Sequence, residues 1–132
     1  MFDEPAKEIE AFSVVKRAKS FPHAMRGLIV LIRTQHNMWL HLLSGAVTIF
    51  LGFYLKVSSA EWLGLIFAMA IVVVAEAFNT AIEFDIDLTS PDYHPFARDT
   101  KDVAAAAVLL AVIAAVAIGL IIFVPKISVL VR

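Results

Sequence analysis

Three long apolar stretches, separated by short polar ones, dominate the hydrophobic pattern. From Thr34 to Leu55 there is no Asp, Glu, Lys or Arg, and this run supplies a first membrane span over about residues 38–55. Trp39 and Tyr54 stand near its two ends, where interfacial aromatic belts are expected. Lys56 to Glu61 is too short for anything but a tight hairpin, so a second span follows over about 62–84. Only Glu76 interrupts the apolar part of that span. The polar segment Asp85–Thr100 holds Pro91 and Pro95, and its middle reads as a loop. Val103–Pro125 is free of charge and gives a third span over about 102–125, which Pro125 is expected to end or bend. Its run Ala104–Ala107 offers a small-residue face for close helix contact.

Upstream the pattern changes. In residues 1–20 charged positions alternate with Ile9, Phe12, Val15 and Ala18 at helical spacing, which predicts an amphipathic surface helix over about residues 5–20. Pro22 marks a break or a helix start, and residues 23–37 continue as helix. The fold class expected is therefore an all-α membrane protein, with three transmembrane helices, a surface helix and a single domain over residues 1–132.

Composition agrees. The chain is 61% hydrophobic and 17% charged, against about 25% charged in soluble proteins, so a soluble core of 132 residues could not hide its apolar surface. A net charge of −1 argues against a nucleic-acid partner, and the absence of cysteine excludes disulfides and thiolate metal sites. Charge also orients the spans. Eight basic residues (Lys7, Lys16, Arg17, Lys19, Arg26, Arg33, Arg98, Lys101) fall on the side of the N terminus and the second loop, against three (Lys56, Lys126, Arg132) on the other. The N terminus and the Asp85–Thr100 loop are thus expected in the cytoplasm.

The candidate chemistry lies at that edge. Glu76, Asn79, Thr80, Glu83 and Asp87 are spaced to share one side of a helix. A carboxylate within a span is costly, on the order of 2.5–3.5 kcal/mol if Glu resembles the charges measured, and is kept where it faces the bundle interior and has work to do. Glu76 suits a general base for a weakly acidic hydroxyl. Glu83 can offer an oxygen to Mg²⁺, and Asn79 between them can orient either partner. Lys101 can neutralise a transferring phosphoryl group, with Asp102 to fix the lysine. Blander readings stand beside these. Glu76 could be a structural acid or part of a proton or ion path. Thr80 is expected to bond back to its own helix, Asp85, Asp92 and Asp99 to be solvated, and His41 to be a packed residue rather than a ligand. The five glycines form no phosphate-cradling loop, so a soluble kinase fold is excluded.

The stretch E76-A-F-N79-T-A-I-E83, then Asp87, then K101-D102-V-A-A-A-A-V-L, resembles the prokaryotic diacylglycerol kinase and undecaprenol kinase family. The segments S20-F-P-H-A24-M-R-G27 and N37-M-W-L-H41 resemble its N-terminal pattern, and the likeness covers roughly residues 12–120. It implies a small homotrimeric enzyme of the bacterial inner membrane that transfers the γ-phosphate of ATP to a lipid alcohol at the cytoplasmic face, with Mg²⁺. On this resemblance Glu76 is the general base and, with Asn79, contacts the lipid substrate. Glu83 is a metal-binding acid. Lys16, Lys19, Asn79, Glu83, Asp87, Lys101 and Asp102 contact the nucleotide. The family usually carries a metal-sharing glutamate eight residues after Gly27, and here that position is Gln35. The lipid is undecaprenol or diacylglycerol, and the N-T-A-I-E and N-M-x-x-H stretches look more like the undecaprenol-preferring branch. The alternatives are a non-catalytic or ion-relay helical bundle, or a kinase weakened by Gln35.

Overall fold

The computed structural model describes residues 13–131, and all five elements in it are helices. They are α1 (Val14–Ala18), α2 (Phe21–Thr34), α3 (His36–Tyr54), α4 (Ser59–Thr89) and α5 (Pro95–Leu130). The chain forms two compact units, one ending at Val30 and the other beginning at Leu31. In the first unit α1 is the described part of the expected surface helix, and residues 5–12 of that expectation lie outside the described residues. A turn separates α1 from α2, closed by the Ser20 hydroxyl donating to the Arg17 carbonyl. Pro22 sits in the first turn of α2, where its missing N–H is no loss.

In the second unit α3, α4 and α5 are each long and apolar enough to cross a membrane, by length and composition. Their outer faces are greasy. Leu40, Phe50, Phe67, Leu110 and Ile121 are all exposed, which in a three-helix protein of this length fits contact with lipid. The helix α4 is the central one and packs most extensively against α5. Its buried residues, Leu65, Ala68, Val72, Glu76, Asn79 and Thr80, follow one another at steps of three and four, apart from the adjacent last pair. A single inward stripe therefore starts apolar and turns polar at Glu76.

The turn between α3 and α4 explains where α4 begins. The Ser58 side chain accepts from the Glu61 N–H, and the Glu61 carboxylate accepts from the Ser58 N–H at 2.6 Å, a reciprocal cap. Glu61 also pairs with Lys126 of α5 at 3.0 Å. Next to this turn Trp62 lies against the backbone of Gly52 and stacks obliquely on Phe53, with ring centroids 5.0 Å apart.

One expectation needs correcting. Pro125 does not end the third span, because α5 continues through it to Leu130. Membrane helices tolerate proline, and the turn that follows carries a Ser128 hydroxyl donating to the Pro125 carbonyl at 2.7 Å. The middle of the polar segment is a loop, as expected, and its two flanks are helical. At about 1.5 Å per residue, α4 with 31 residues spans ~46 Å and α5 with 36 spans ~54 Å, both beyond the ~30 Å of a hydrocarbon core. The loop has five residues, Ser90–His94, between two helix ends that extend past the apolar layer.

Candidate active site at the polar end of α4

Glu76 is 1% exposed, held inside by the same stripe that buries Leu65 about three turns below. Its Oε1 has no hydrogen-bond partner. The Thr80 hydroxyl donates to the Glu76 carbonyl at 2.8 Å, so Thr80 does bond back to its own helix and leaves the carboxylate alone. An unpaired buried carboxylate oxygen is costly, which is the mark of a group kept for a ligand or a proton.

Two turns beyond Glu76, Glu83 is gripped from two sides. Asn79 Nδ2 donates to its Oε1 at 3.2 Å, and Gln35 Nε2 donates to its Oε2 at 3.2 Å. Gln35 occupies the break between α2 and α3 in extended backbone, which lets its side chain reach across to α4. The Asn79 Oδ1 is buried and without a partner. The structure thus brings Gln35, Asn79 and Glu83 into one cluster, with Glu76 a turn away on the same stripe. Among the described residues, no three His, Cys, Asp or Glu side chains converge. A cation here would meet one carboxylate and amide oxygens, once Gln35 and Asn79 turn their carbonyls inward. That is an all-oxygen set of the kind Mg²⁺ takes together with substrate phosphates.

The lysine is placed differently from expectation. Lys101 pairs with Asp87 across the helical hairpin, joining α5 to α4. Asp102 pairs instead with Arg98 one turn before it, at 3.5 Å, and both are exposed. The short loop is the reason: it sets the first turns of α5 beside the last turns of α4, so a residue fourteen positions back is a nearer partner than the adjacent aspartate. The i, i+4 spacing of Arg98 and Asp102 was a legible signal of their pairing. These four residues line a cavity of about 410 Å³ under the loop, with Tyr93 and His94 on its other side. Lys16 lies in α1, and Lys19 follows that helix and is exposed.

The class defined so far is a three-span helical membrane protein with a buried acid and an acid–amide cluster at one end of its central helix. Residues 22–123 match the family described as prokaryotic diacylglycerol kinase. The chain is 37% identical over 108 residues to an undecaprenol kinase of Bacillus subtilis, covering 82% of this chain and 88% of that one. It is 38% identical over 101 residues to a diacylglycerol kinase of Synechocystis, covering 76% of this chain and 58% of that one. Against a diacylglycerol kinase of Helicobacter pylori the identity is 30% over 109 residues, covering 77% of this chain and 85% of that one. The chain belongs to the prokaryotic diacylglycerol kinase family. It is accordingly an enzyme of the lipid-kinase class, with ATP as co-substrate, and the family assignment speaks against a non-catalytic or ion-relay bundle.

Proposed function

We propose that this protein phosphorylates a membrane lipid alcohol, undecaprenol or diacylglycerol, with Glu76 as general base and Mg-ATP as donor, at the cytoplasmic face of the bacterial inner membrane. The carrying observation is the Glu76 carboxylate, buried to 1% exposure with one oxygen unpartnered, on the stripe that leads to Glu83. The course is a single displacement. The lipid hydroxyl approaches from the bilayer and gives its proton to Glu76 as its oxygen attacks the γ-phosphorus. The bond from that phosphorus to the bridging oxygen breaks, and ADP leaves with the electron pair. Most of the work is positioning and charge cancellation. Asn79 orients the acceptor and the nucleotide. Lys101 draws on the transferring phosphoryl group, held in reach by Asp87, while Asp102 acts with Arg98 at the nucleotide edge. Lys16 and Lys19 supply further nucleotide contacts.

Glu83, with Gln35 and Asn79 beside it, would hold Mg²⁺, which supplies neutralisation of phosphate charge. A site with a single carboxylate leans on the phosphates for the rest of its ligands, so metal affinity in the absence of nucleotide should be weak. The bias of basic residues toward one side of the spans supports the cytoplasmic placement. The homotrimer rests on family resemblance. A groove of about 440 Å³ is lined by Ala104, Ala107 and Ala111 beside Asn79, with Ala104 and Ala111 buried and Ala107 open to a neighbouring helix. The whole chain is read as one catalytic domain.

The higher coverage and comparable identity of the undecaprenol kinase relative favour undecaprenol as acceptor. Transfer of labelled γ-phosphate from ATP to each lipid by purified protein in mixed micelles, with and without Mg²⁺, tests this reading. Label on neither lipid would overturn it.

A further inference from the structure

At the edge of the bundle away from Glu83, the end of α3 meets the start of α4 and the last turns of α5. A cavity of about 710 Å³ opens there. Its polar lining is Tyr54, Lys56, Glu61 and Lys126, and the rest is apolar, with Ile121 and Val129 largely exposed. The charges in it do not balance. The Glu61 carboxylate is already committed, accepting from the Ser58 N–H at 2.6 Å and pairing with Lys126 at 3.0 Å through the same oxygen. Lys56 is exposed and has no ion-pair partner among the described residues. Two cations therefore share one carboxylate at the mouth of an apolar cavity.

Lys56 also holds an unfavourable backbone. Among the described residues it is the one non-glycine residue with positive φ, at 50°. Its N–H donates to the Phe53 carbonyl at 3.2 Å, and the Val57 N–H donates to the Gly52 carbonyl at 3.1 Å, the pair of bonds that closes the end of α3. Glycine is the usual residue at that position, because a Cβ is disfavoured in left-handed backbone. Val57 is buried in a cluster with Leu65 and Ile122, so packing fixes the turn. The lysine side chain has no part in that packing. A strained position given to a charged residue on a cavity wall is the kind of outlier that marks a ligand site.

We propose that this cavity binds an anionic phospholipid of the leaflet opposite the Glu83 cluster, with its phosphodiester between the Lys56 and Lys126 ammonium groups. The acyl chain lies along Ile121 on α5, toward the bilayer centre, and Tyr54 stands at headgroup level, where interfacial aromatics are favoured. Charge selects this occupant. A neighbouring apolar helix in the cavity would leave Lys56 uncompensated, and a zwitterionic lipid would bring a further cation to a site that already has an excess. Glu61 holds Lys126 in place before the lipid arrives. The site lies at the far end of the helices from Glu76 and does not depend on the kinase reading.

The test uses the full chain with Trp39→Phe, which leaves Trp62 as the one tryptophan. Trp39 is exposed, and Trp62 packs against the cluster that holds Ile122 of the cavity wall. Quenching of Trp62 by phosphatidylglycerol and by phosphatidylcholine, each brominated on the acyl chain and mixed in vesicles, gives their relative affinity at this edge. Phosphatidylglycerol is expected to be preferred about fivefold or more, the worth of one lysine near an anionic lipid surface. Lys56→Gly should abolish the preference and yet raise Tm in phosphatidylcholine, because it removes the charge and relieves the left-handed backbone. Lys56→Arg should keep the preference. Equal quenching by the two lipids in the parent protein overturns the proposal, as it would if a second copy of the chain filled the cavity. A preference that survives Lys56→Gly overturns it too. Inorganic phosphate, with chloride at matched ionic strength as the control, should not displace the lipid. Displacement by phosphate alone would make this a site for a free anion and end the lipid assignment.

Discussion

Gln35 donates a hydrogen bond to Glu83 across 48 residues of chain, at 3.2 Å. A glutamate at that position would set two carboxylates against each other and need a cation to hold them together. The glutamine turns the same approach into an attraction that needs none. Gln35→Glu should therefore lower the Mg²⁺ concentration for half-maximal activity severalfold, and lower Tm when Mg²⁺ is withheld. An unchanged Mg²⁺ requirement in the transfer assay would remove position 35 from the metal site.

Lys101 and Asp87 join α4 and α5 in a solvent-facing position. Exposed ion pairs contribute about 0–1 kcal/mol, so breaking this one should scarcely change stability. If its purpose is to aim the lysine at phosphate, Lys101→Ala will raise the KM for ATP about tenfold or more with little change in Tm. Asp87→Asn should cost less, since the lysine keeps its charge and loses only its guide. Steady-state kinetics in ATP, with thermal unfolding in detergent as the control, separate the two effects.

Asp102 offers a sharper contrast. Its partner is Arg98, on the same helix and equally exposed. Asp102→Asn should leave the stability within about 0.5 kcal/mol of wild type, the size of an i, i+4 pair. Any larger loss of activity then reports nucleotide contact rather than folding, and equilibrium ATP binding decides which.

Gly52 lies under the Trp62 ring, and a Cβ there would come within 2.5 Å of one ring atom and 2.7 Å of another. The ring also packs on Phe53, so moving away from a new Cβ would disturb that contact. Alanine gains about 1 kcal/mol of helix propensity over glycine, but overpacking costs typically about 1–3 kcal/mol. Gly52→Ala should be net destabilising. Gly119→Ala, where a Cβ meets nothing within 4 Å, should be neutral or stabilising. Unfolding of the two variants in the same detergent gives the comparison.

The three spans were legible because charge-free runs of the right length have few other uses. Their ends were not, because bilayer thickness limits the apolar run and not the helix. Local chemistry set the limits instead: the Ser58–Glu61 cap began α4, and His94 Nδ1, accepting from the Phe96 N–H at 3.2 Å ahead of a helix-starting Pro95, began α5. Both signals stood in the sequence as S-x-x-E and as proline at the first helical position. The face shared by Glu76, Asn79 and Glu83 followed from helical spacing alone. The grip of Gln35 on Glu83 did not, since spacing within one helix says nothing of what another brings to it. The pairing of Lys101 with Asp87 was hidden for the same reason. His41 read as a packing residue because an imidazole on an apolar face usually is one.

The most direct test of Glu76 as general base is transfer of γ-labelled phosphate by the Glu76→Gln protein, with ATP binding measured on the same preparation. General-base catalysis contributes about 10²–10⁴-fold, so transfer should fall at least a hundredfold while ATP binding and the folded state stay as in wild type. Transfer within a few-fold of wild type would contradict that role, and Glu76 would then be a buried structural acid.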